Sequence, residues 1–385
     1  MGRGWVTILT IVVVCVLSIC LGRPAGASGA DDLAAAKTAI GAGQIDEGIR
    51  LYTKALASSD LDAEDRAFAF TSLANIHDDR GESDLALADY ARAIAAKPDY
   101  YWAYYNRGVL YVKQSAYPKA FADFDKAIVL NPQYAPTYQS RANAYDDTGE
   151  FEKAMADYDK AISLRANDPT IYDDRGISQA GRGKYAPALA DFDRAIALDP
   201  EYGKAFSDRG NIEYDLGQFE KAIADFGSAL QYRPDYAAAL RTRGVAFLML
   251  GRFANADADL TRIASLQPTV EYNLLWLYLA RSKADLGTAA EVTTLSAKFD
   301  PQNGFTILIA ALNGALSRDG LTSFAQGVAA SNDASYRCTA SFFLGETYAL
   351  RKDSAAAKAA YLQARNGCDP LSLEREAAGV ELSRL

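Results

Sequence analysis

A single histidine, His77, occurs in 385 residues, and two of the four cysteines, Cys15 and Cys20, fall within the first 27 positions. With so few imidazoles and thiols, the common Ser/His/Asp and Cys/His triads and Cys/His metal sites cannot be assembled. Glycine-rich phosphate loops are absent as well. His77 has Tyr111 and Tyr145 at the equivalent positions of the following segments, which predicts a packed core residue rather than a base or ligand. The aspartate pairs Asp146-Asp147 and Asp173-Asp174 point in different directions on a helix, and no loop gathers them for acid–base work or calcium. No catalytic residue, metal or cofactor is expected, so the chain reads as non-enzymatic.

Positive charge is also in short supply. The formal charge is −9, with 49 acidic against 40 basic residues. Such a surface repels phosphate backbones and anionic headgroups, which excludes nucleic acid as an expected partner. The first 27 residues have the order of a secretory leader: Arg3, an apolar run from Trp5 to Leu21, then Gly22-Arg23-Pro24-Ala25-Gly26-Ala27. That order predicts cleavage between Ala27 and Ser28, which moves the formal charge to −11 by removing Arg3 and Arg23. The competing expectation is an uncleaved membrane anchor, because the run approaches the lower limit of a span. Ile19 stands where lipidation of Cys20 would want a small residue.

What the sequence has in abundance is self-similarity. From residue 67 to residue 270 a 34-residue block recurs six times, and stacked repeats override any domain count taken from length. Position 8 is small (Ala74, Gly108, Ala142, Gly176, Gly210, Gly244), and position 20 is alanine from Ala86 to Ala256. These predict a close approach between two antiparallel helices. Position 24 is aromatic in five blocks and Leu260 in the sixth, and position 27, three residues later on the same face, is alanine in those five and Ile263 in the sixth. Glycines 81, 149, 183, 217 and 251 mark the turn inside the hairpin, and a proline closes most blocks.

These six in-frame copies resemble the tetratricopeptide-repeat (TPR) family. The resemblance implies an all-α, right-handed solenoid of stacked antiparallel helix hairpins. The expected divisions are a leader (1–27), an atypical hairpin (28–66), six regular repeats (67–270), an irregular helical region (271–337), a final repeat (338–371) and a capping helix (372–385). Within the irregular region the expected helices are Glu271–Leu286, Thr288–Lys298, Phe305–Leu316 and Leu321–Ala329.

Three sets of residues stand out in this frame. Cys338 and Cys368 lie at positions 1 and 31 of the final repeat, where antiparallel helices bring start and end together. A structural disulfide is expected, since neither has a CxxC-like redox partner. Arginine recurs at position 7 (Arg107, Arg141, Arg175, Arg209, Arg243), where the family is normally apolar, and aspartate at position 23 (Asp89, Asp123, Asp157, Asp191, Asp225, Asp259). The expectation is a ladder in which each arginine reaches the aspartate of the preceding block and sets stacking register. The third set lines the groove that the family frame implies: Trp102, Tyr105, Asn106, Lys113, Asn143, Asp146, Asp147, Asp173, Asp174, Asp208, Asn211, Tyr214, Asp215 and Arg241. Acidic with a few aromatics, it suits a peptide or basic segment. It lacks the Lys/Arg/Asn cluster that clamps a chaperone's terminal carboxylate.

The stretches EYNLLWLYLARSK (271–283), FFLGETYAL (342–350) and EREAAGVELSRL (374–385) resemble the corresponding end of the NlpI-type envelope lipoproteins. That resemblance implies a periplasmic, non-enzymatic adaptor that brings protein partners together, a protease or peptidoglycan-cleaving enzymes, often as a homodimer. Membrane contact is expected only if the leader stays attached, as in a tethered assembly or secretion factor.

Overall fold

The computed structural model describes residues 28–284, 300, 304–369 and 372–385. The leader through Ala27, and the expected helix Thr288–Lys298, lie outside the described residues. Among the described residues there are twenty α-helices and no strand. They begin with α1 (Gly29–Gly41), α2 (Ile45–Ala57), α3 (Ala63–Asp79), α4 (Ser83–Ala96), α5 (Tyr101–Lys113), α6 (Tyr117–Leu130) and α7 (Ala135–Asp147). The series continues with α8 (Phe151–Leu164), α9 (Pro169–Ala180), α10 (Tyr185–Leu198), α11 (Gly203–Asp215), α12 (Phe219–Tyr232), α13 (Ala237–Met249) and α14 (Phe253–Leu266). After the regular blocks come α15 (Glu271–Lys283), α16 (Gly304–Leu312), α17 (Arg318–Ala330), α18 (Ala334–Leu350), α19 (Ser354–Gly367) and α20 (Leu373–Arg384). The chain forms two compact units, Met1–Thr137 and Tyr138–Leu385. Each regular block is one antiparallel hairpin.

The turn inside each hairpin follows from one backbone position. Gly217 (φ +69) caps α11: its N–H donates to the Tyr214 carbonyl at 2.8 Å, and the Gln218 N–H donates to the Glu213 carbonyl at 2.8 Å. At the same position two blocks carry other residues, Ser115 (φ +55) and Lys352 (φ +61). The hairpin geometry therefore imposes the left-handed conformation even where a side chain resists it.

The close approach inside the hairpin takes a form that small residues alone did not reveal. A Cβ on Gly108 would lie 2.7 Å from the Phe124 ring, and one on Gly176 2.8 Å from Phe192. Position 8 thus faces the ring at position 24. Where position 24 is phenylalanine, position 8 is glycine. In the two regular blocks with a tyrosine there, Tyr90 and Tyr158, position 8 is alanine and the hydroxyl donates to Asn75 (2.6 Å) or Asn143 (2.5 Å); the final repeat instead sets Tyr361 over Gly345.

The arginine–aspartate ladder is real but runs differently from the expectation. Each arginine pairs within its own block: Arg107 with Asp123 (2.8 Å), Arg141 with Asp157 (2.7 Å), Arg175 with Asp191 (2.7 Å), Arg209 with Asp225 (2.6 Å) and Arg243 with Asp259 (2.7 Å). The reason is symmetry about the turn. Positions 7 and 23 are equidistant from position 15, so antiparallel helices set them opposite each other. Asp89, whose block has Leu73, takes Arg92 at 2.7 Å and His77 at 3.7 Å instead of Arg107. The link between repeats comes from an aspartate two residues on: Arg175 also meets Asp159 and Arg209 meets Asp193, both at 2.5 Å.

Beyond residue 270 the packing becomes a continuous core. Trp276 of α15 is fully buried with ring centroids 5.2 Å from Phe342 and 5.0 Å from Phe343 of α18. Helix α16 is shorter than the expected Phe305–Leu316, and α17 starts at Arg318, three residues before the expected Leu321, on a Ser317 cap. Cys338 and Cys368 form a disulfide with Cα atoms 4.9 Å apart. It closes the α18–α19 hairpin over a separation of 30 residues, which adds ~3–4 kcal/mol on the chain-entropy estimate. Lys283 joins α15, α18 and α20 through Glu346 (3.0 Å) and Glu381 (2.7 Å).

Three substitutions check this packing by urea unfolding. Gly108→Ala drives a methyl into Phe124 and is expected to lose about 1–3 kcal/mol. Arg175→Ala strands Asp191, which is only 5% exposed, and is expected to lose ~3 kcal/mol, against less than about 1 kcal/mol for Asp159→Ala on the solvated side. Equal losses from the two ladder variants would place the important link between repeats rather than within them.

Candidate functional site

In the Met1–Thr137 unit the first helices of two successive blocks, α3 and α5, enclose a cavity of about 550 Å³. Helix α3 contributes Phe68, Thr71, Ser72 and Asn75; Tyr100, Trp102, Tyr105, Asn106 and Tyr134 complete the lining. The expected residues Trp102, Tyr105 and Asn106 are therefore together. Trp102 lies 4.7 Å from Tyr134 and 4.9 Å from Tyr101 between ring centroids, and Tyr105 lies 5.3 Å from Tyr134. The indole remains 37% exposed. No charged side chain lines the cavity. The Thr71 hydroxyl, on a residue 5% exposed, is buried without a hydrogen-bond partner. Asn75 is fixed from behind, its Oδ1 accepting from the Tyr90 hydroxyl.

In the Tyr138–Leu385 unit the expected acidic groove divides into three environments. Asn143, Asp146, Asp147 and Asp174 share a smaller cavity of about 340 Å³ with Tyr158 and Ile177. There Asp146 pairs with Arg182 (2.5 Å), and Asp174 accepts from Gln139 (2.8 Å) and Asn143 (3.2 Å). Asp173 is elsewhere. It is fully buried, held by Lys204 and by the Tyr202 hydroxyl at 3.3 Å, and the same ammonium binds Asp208 at 3.0 Å. Asp173 and Asp208 are thus an internal cluster between α9 and α11, because side chains one residue apart on a helix diverge by about 100°. Burial, then the nearby Asp208, pushes the Asp173 carboxyl up to about 7.

The third environment is already covered. Helix α20, expected as a terminal cap, packs mainly on α19 and α18 of the final repeat and also reaches α11 and α13. Tyr214 donates from its hydroxyl to the Leu373 carbonyl at 3.2 Å, and the Arg384 guanidinium donates to the Met249 carbonyl at 2.6 Å. Asn211, Asp215 and Arg241 line a cavity of about 460 Å³ whose other wall is Ser372, Leu373 and Glu374. Arg241 is engaged by Asn273 at 2.8 Å. Outside these cavities, Lys113 pairs with Asp78 at 2.7 Å. His77 is not a core residue; its ring meets Glu82 at 2.5 Å and Asp89 at 3.7 Å.

The hairpin arrays agree with sequence models of the repeat. A TPR-repeat model matches residues 74–115 and 210–251, and two tetratricopeptide-repeat models match 101–134 and 135–168. The chain is a tetratricopeptide-repeat protein. Among solved structures, the TPR chain is similar to a tetratricopeptide-repeat protein from Parabacteroides merdae, at 19% identity and TM-score 0.53, over 66% of this chain and 99% of that one. It is also similar to the APC/C hetero-tetramer Cut9–Hcn1, at 18% identity and TM-score 0.50, over 70% and 52% of the two chains. A third similarity, to PilF of Pseudomonas aeruginosa, has 17% identity and TM-score 0.47 over 53% and 94%. No curated protein matches the sequence. At these identities the solved structures share the TPR fold alone.

Sequence reasoning missed Phe68, Thr71, Ser72 and Asn75. They occupy groove positions 2, 5, 6 and 9 of the block 67–100, so the repeat frame itself carried the signal. The placement of α20 had no such signal. Its consequence is electrostatic: burial, then Glu376 and Asp369, pushes the Asp215 carboxyl up to about 7. A folded-state value raised above the ordinary value of ~4 gives stability that is full below about pH 4 and lost as pH rises through 7. Relative to the parent, Asp215→Asn should therefore gain thermal stability between pH 5 and pH 8. A difference between the two melting curves that stays flat with pH would remove Asp215 from the account.

Proposed function

We propose that this TPR chain is an exported, non-enzymatic scaffold, a periplasmic adaptor that holds cell-envelope enzymes of the protease or peptidoglycan-modifying kinds. The carrying observation is the open first-helix face of the Met1–Thr137 unit, where a partly exposed tryptophan and uncharged polar side chains line a cavity. Stacked repeats present such faces as extended binding surfaces. An anchor of this kind is what a protein partner engages, since interfaces draw most of their energy from a few aromatic contacts. The Cys338–Cys368 disulfide supports an oxidising compartment. The leader-like order of residues 1–27 and the NlpI-like stretches of the C-terminal third support export and an adaptor role.

The test is affinity capture from a cell-envelope extract with the full chain as bait, combined with N-terminal sequencing of the exported protein. Recovery of envelope proteases or peptidoglycan-cleaving enzymes, with a mature terminus at Ser28, is the expected result. Recovery of cytosolic proteins alone would overturn the adaptor reading. A terminus at Met1 or Gly2 would convert it to a membrane-tethered factor. Light scattering of the purified chain checks the homodimer that the same resemblance implies.

A further inference from the structure

We propose that the joint between α9 and α11 is a proton-operated link, closed while Asp173 and Asp208 share one proton and loosened when that proton leaves. The link is a conformational device of the stack itself and does not depend on what the array holds.

The preceding joint shows what these positions require. Position 5 of one block and position 6 of the next meet across successive first helices. Between α7 and α9 they are Gln139 and Asp174, and the Gln139 amide donates to the Asp174 carboxylate at 2.8 Å. Between α9 and α11 the same two positions are Asp173 and Asp208. An acid stands where the amide donor stood. An ionised carboxylate only accepts, so a contact that an amide makes unaided needs a proton here.

The donors around the pair are too few to replace it. Lys204 supplies the ammonium, bonded to Asp173 Oδ2 and to Asp208 at 3.0 Å. The Tyr202 hydroxyl donates to the same Asp173 Oδ2 at 3.3 Å. Asp173 Oδ1 is buried without a hydrogen-bond partner, on a side chain with no exposed surface. A proton on it lets Asp173 donate to its carboxyl neighbour Asp208. Asp174 adds a further negative charge beside the pair. The guanidinium groups of the surrounding helices are committed elsewhere. Arg175 of α9 holds Asp191 and Asp159, Arg209 of α11 holds Asp225 and Asp193, and Arg241 of α13 holds Asn273 and Gln267. Asp173 and Asp208 ionised together would keep a net negative charge out of water beside one ammonium, and a shared proton removes it.

Burial, then Asp208, accordingly pushes the Asp173 carboxyl up to about 7, against an ordinary value of ~4 once opening wets it. Between those values each opening releases a proton. The closed joint is therefore fully favoured below about pH 4, and its advantage is lost as pH rises through 7. Each block of a stack leans on its neighbours, so a loosened joint acts as a hinge. Asp215, two turns further along α11, has Glu376 and Asp369 as its charged neighbours and responds separately.

The measurement is amide exchange of the full chain, followed by mass spectrometry at pH 5, 6, 7 and 8 and corrected for the intrinsic chemical rate. Protection of α9 is expected to fall by more than about tenfold from pH 5 to pH 7, as release of one proton per opening requires, and to level off above. Asp173→Asn installs a permanent donor, as Gln139 is at the joint before, and is expected to make α9 protection independent of pH. Asp208→Asn leaves one carboxylate beside one ammonium, needs no shared proton and is expected to do the same. Thermal melts report the folding of both variants, and either one that folds suffices. Parent protection that stays within about threefold across the range, or a pH response as large as the parent's in a folded variant, would overturn the link.

Discussion

Two helices can pack as a hairpin only as closely as the bulkiest pair of side chains between them allows. In this protein that pair is the residue at position 8 and the ring at position 24. A fully buried Phe124, Phe192 or Phe226 lies over a bare glycine backbone. Where the ring is Tyr90 or Tyr158, an asparagine one residue after the small residue receives its hydroxyl. The contact between positions 8 and 24 recurs with the block. Beside it, position 7 meets position 23 with both bidentate bonds formed, as Arg175 and Asp191 do.

Charge is then distributed around this contact according to burial. Arginines at position 7 neutralise the aspartates that face the hairpin interior, and each bridge satisfies a carboxylate that would be costly to leave alone. Asp159 and Asp193, on the solvated side, add links to the next repeat that water partly screens. Asp173, Asp208 and Asp215 are different. Asp173 and Asp208 are buried between the first helices of two successive blocks and Asp215 beside α20, and burial raises all three toward neutrality. The acidity counted from the sequence therefore overstates the acidity of the face itself.

Much of the fold was legible because a 34-residue period repeats the same physics six times. Hairpin limits, the turn position and the small residues could each be read from several copies. The ladder was legible as a pattern, but its direction was not. The choice between neighbouring aspartates depends on the symmetry of the turn, which a list of positions does not display. The cavity was half legible: Trp102, Tyr105 and Asn106 came from the frame, whereas Thr71 became notable only through a hydroxyl without a partner. The C-terminal region was least legible. It has no period, and Leu373–Arg384 reads equally well as a helix ending a stack or one returning across it.

The return of α20 bears on how such an array can grow. A repeat protein ordinarily lengthens by copying units at an end, since each unit needs only its neighbour. Here the final helix contacts first helices of two earlier blocks through Tyr214 and Met249, and its alanines 377 and 378 are wholly enclosed. Duplication within the regular blocks would change the span that the last helix must cross. The C-terminal end thus fixes the number of repeats in its unit, and variation in length among related chains should fall on the N-terminal side of the blocks that α20 touches.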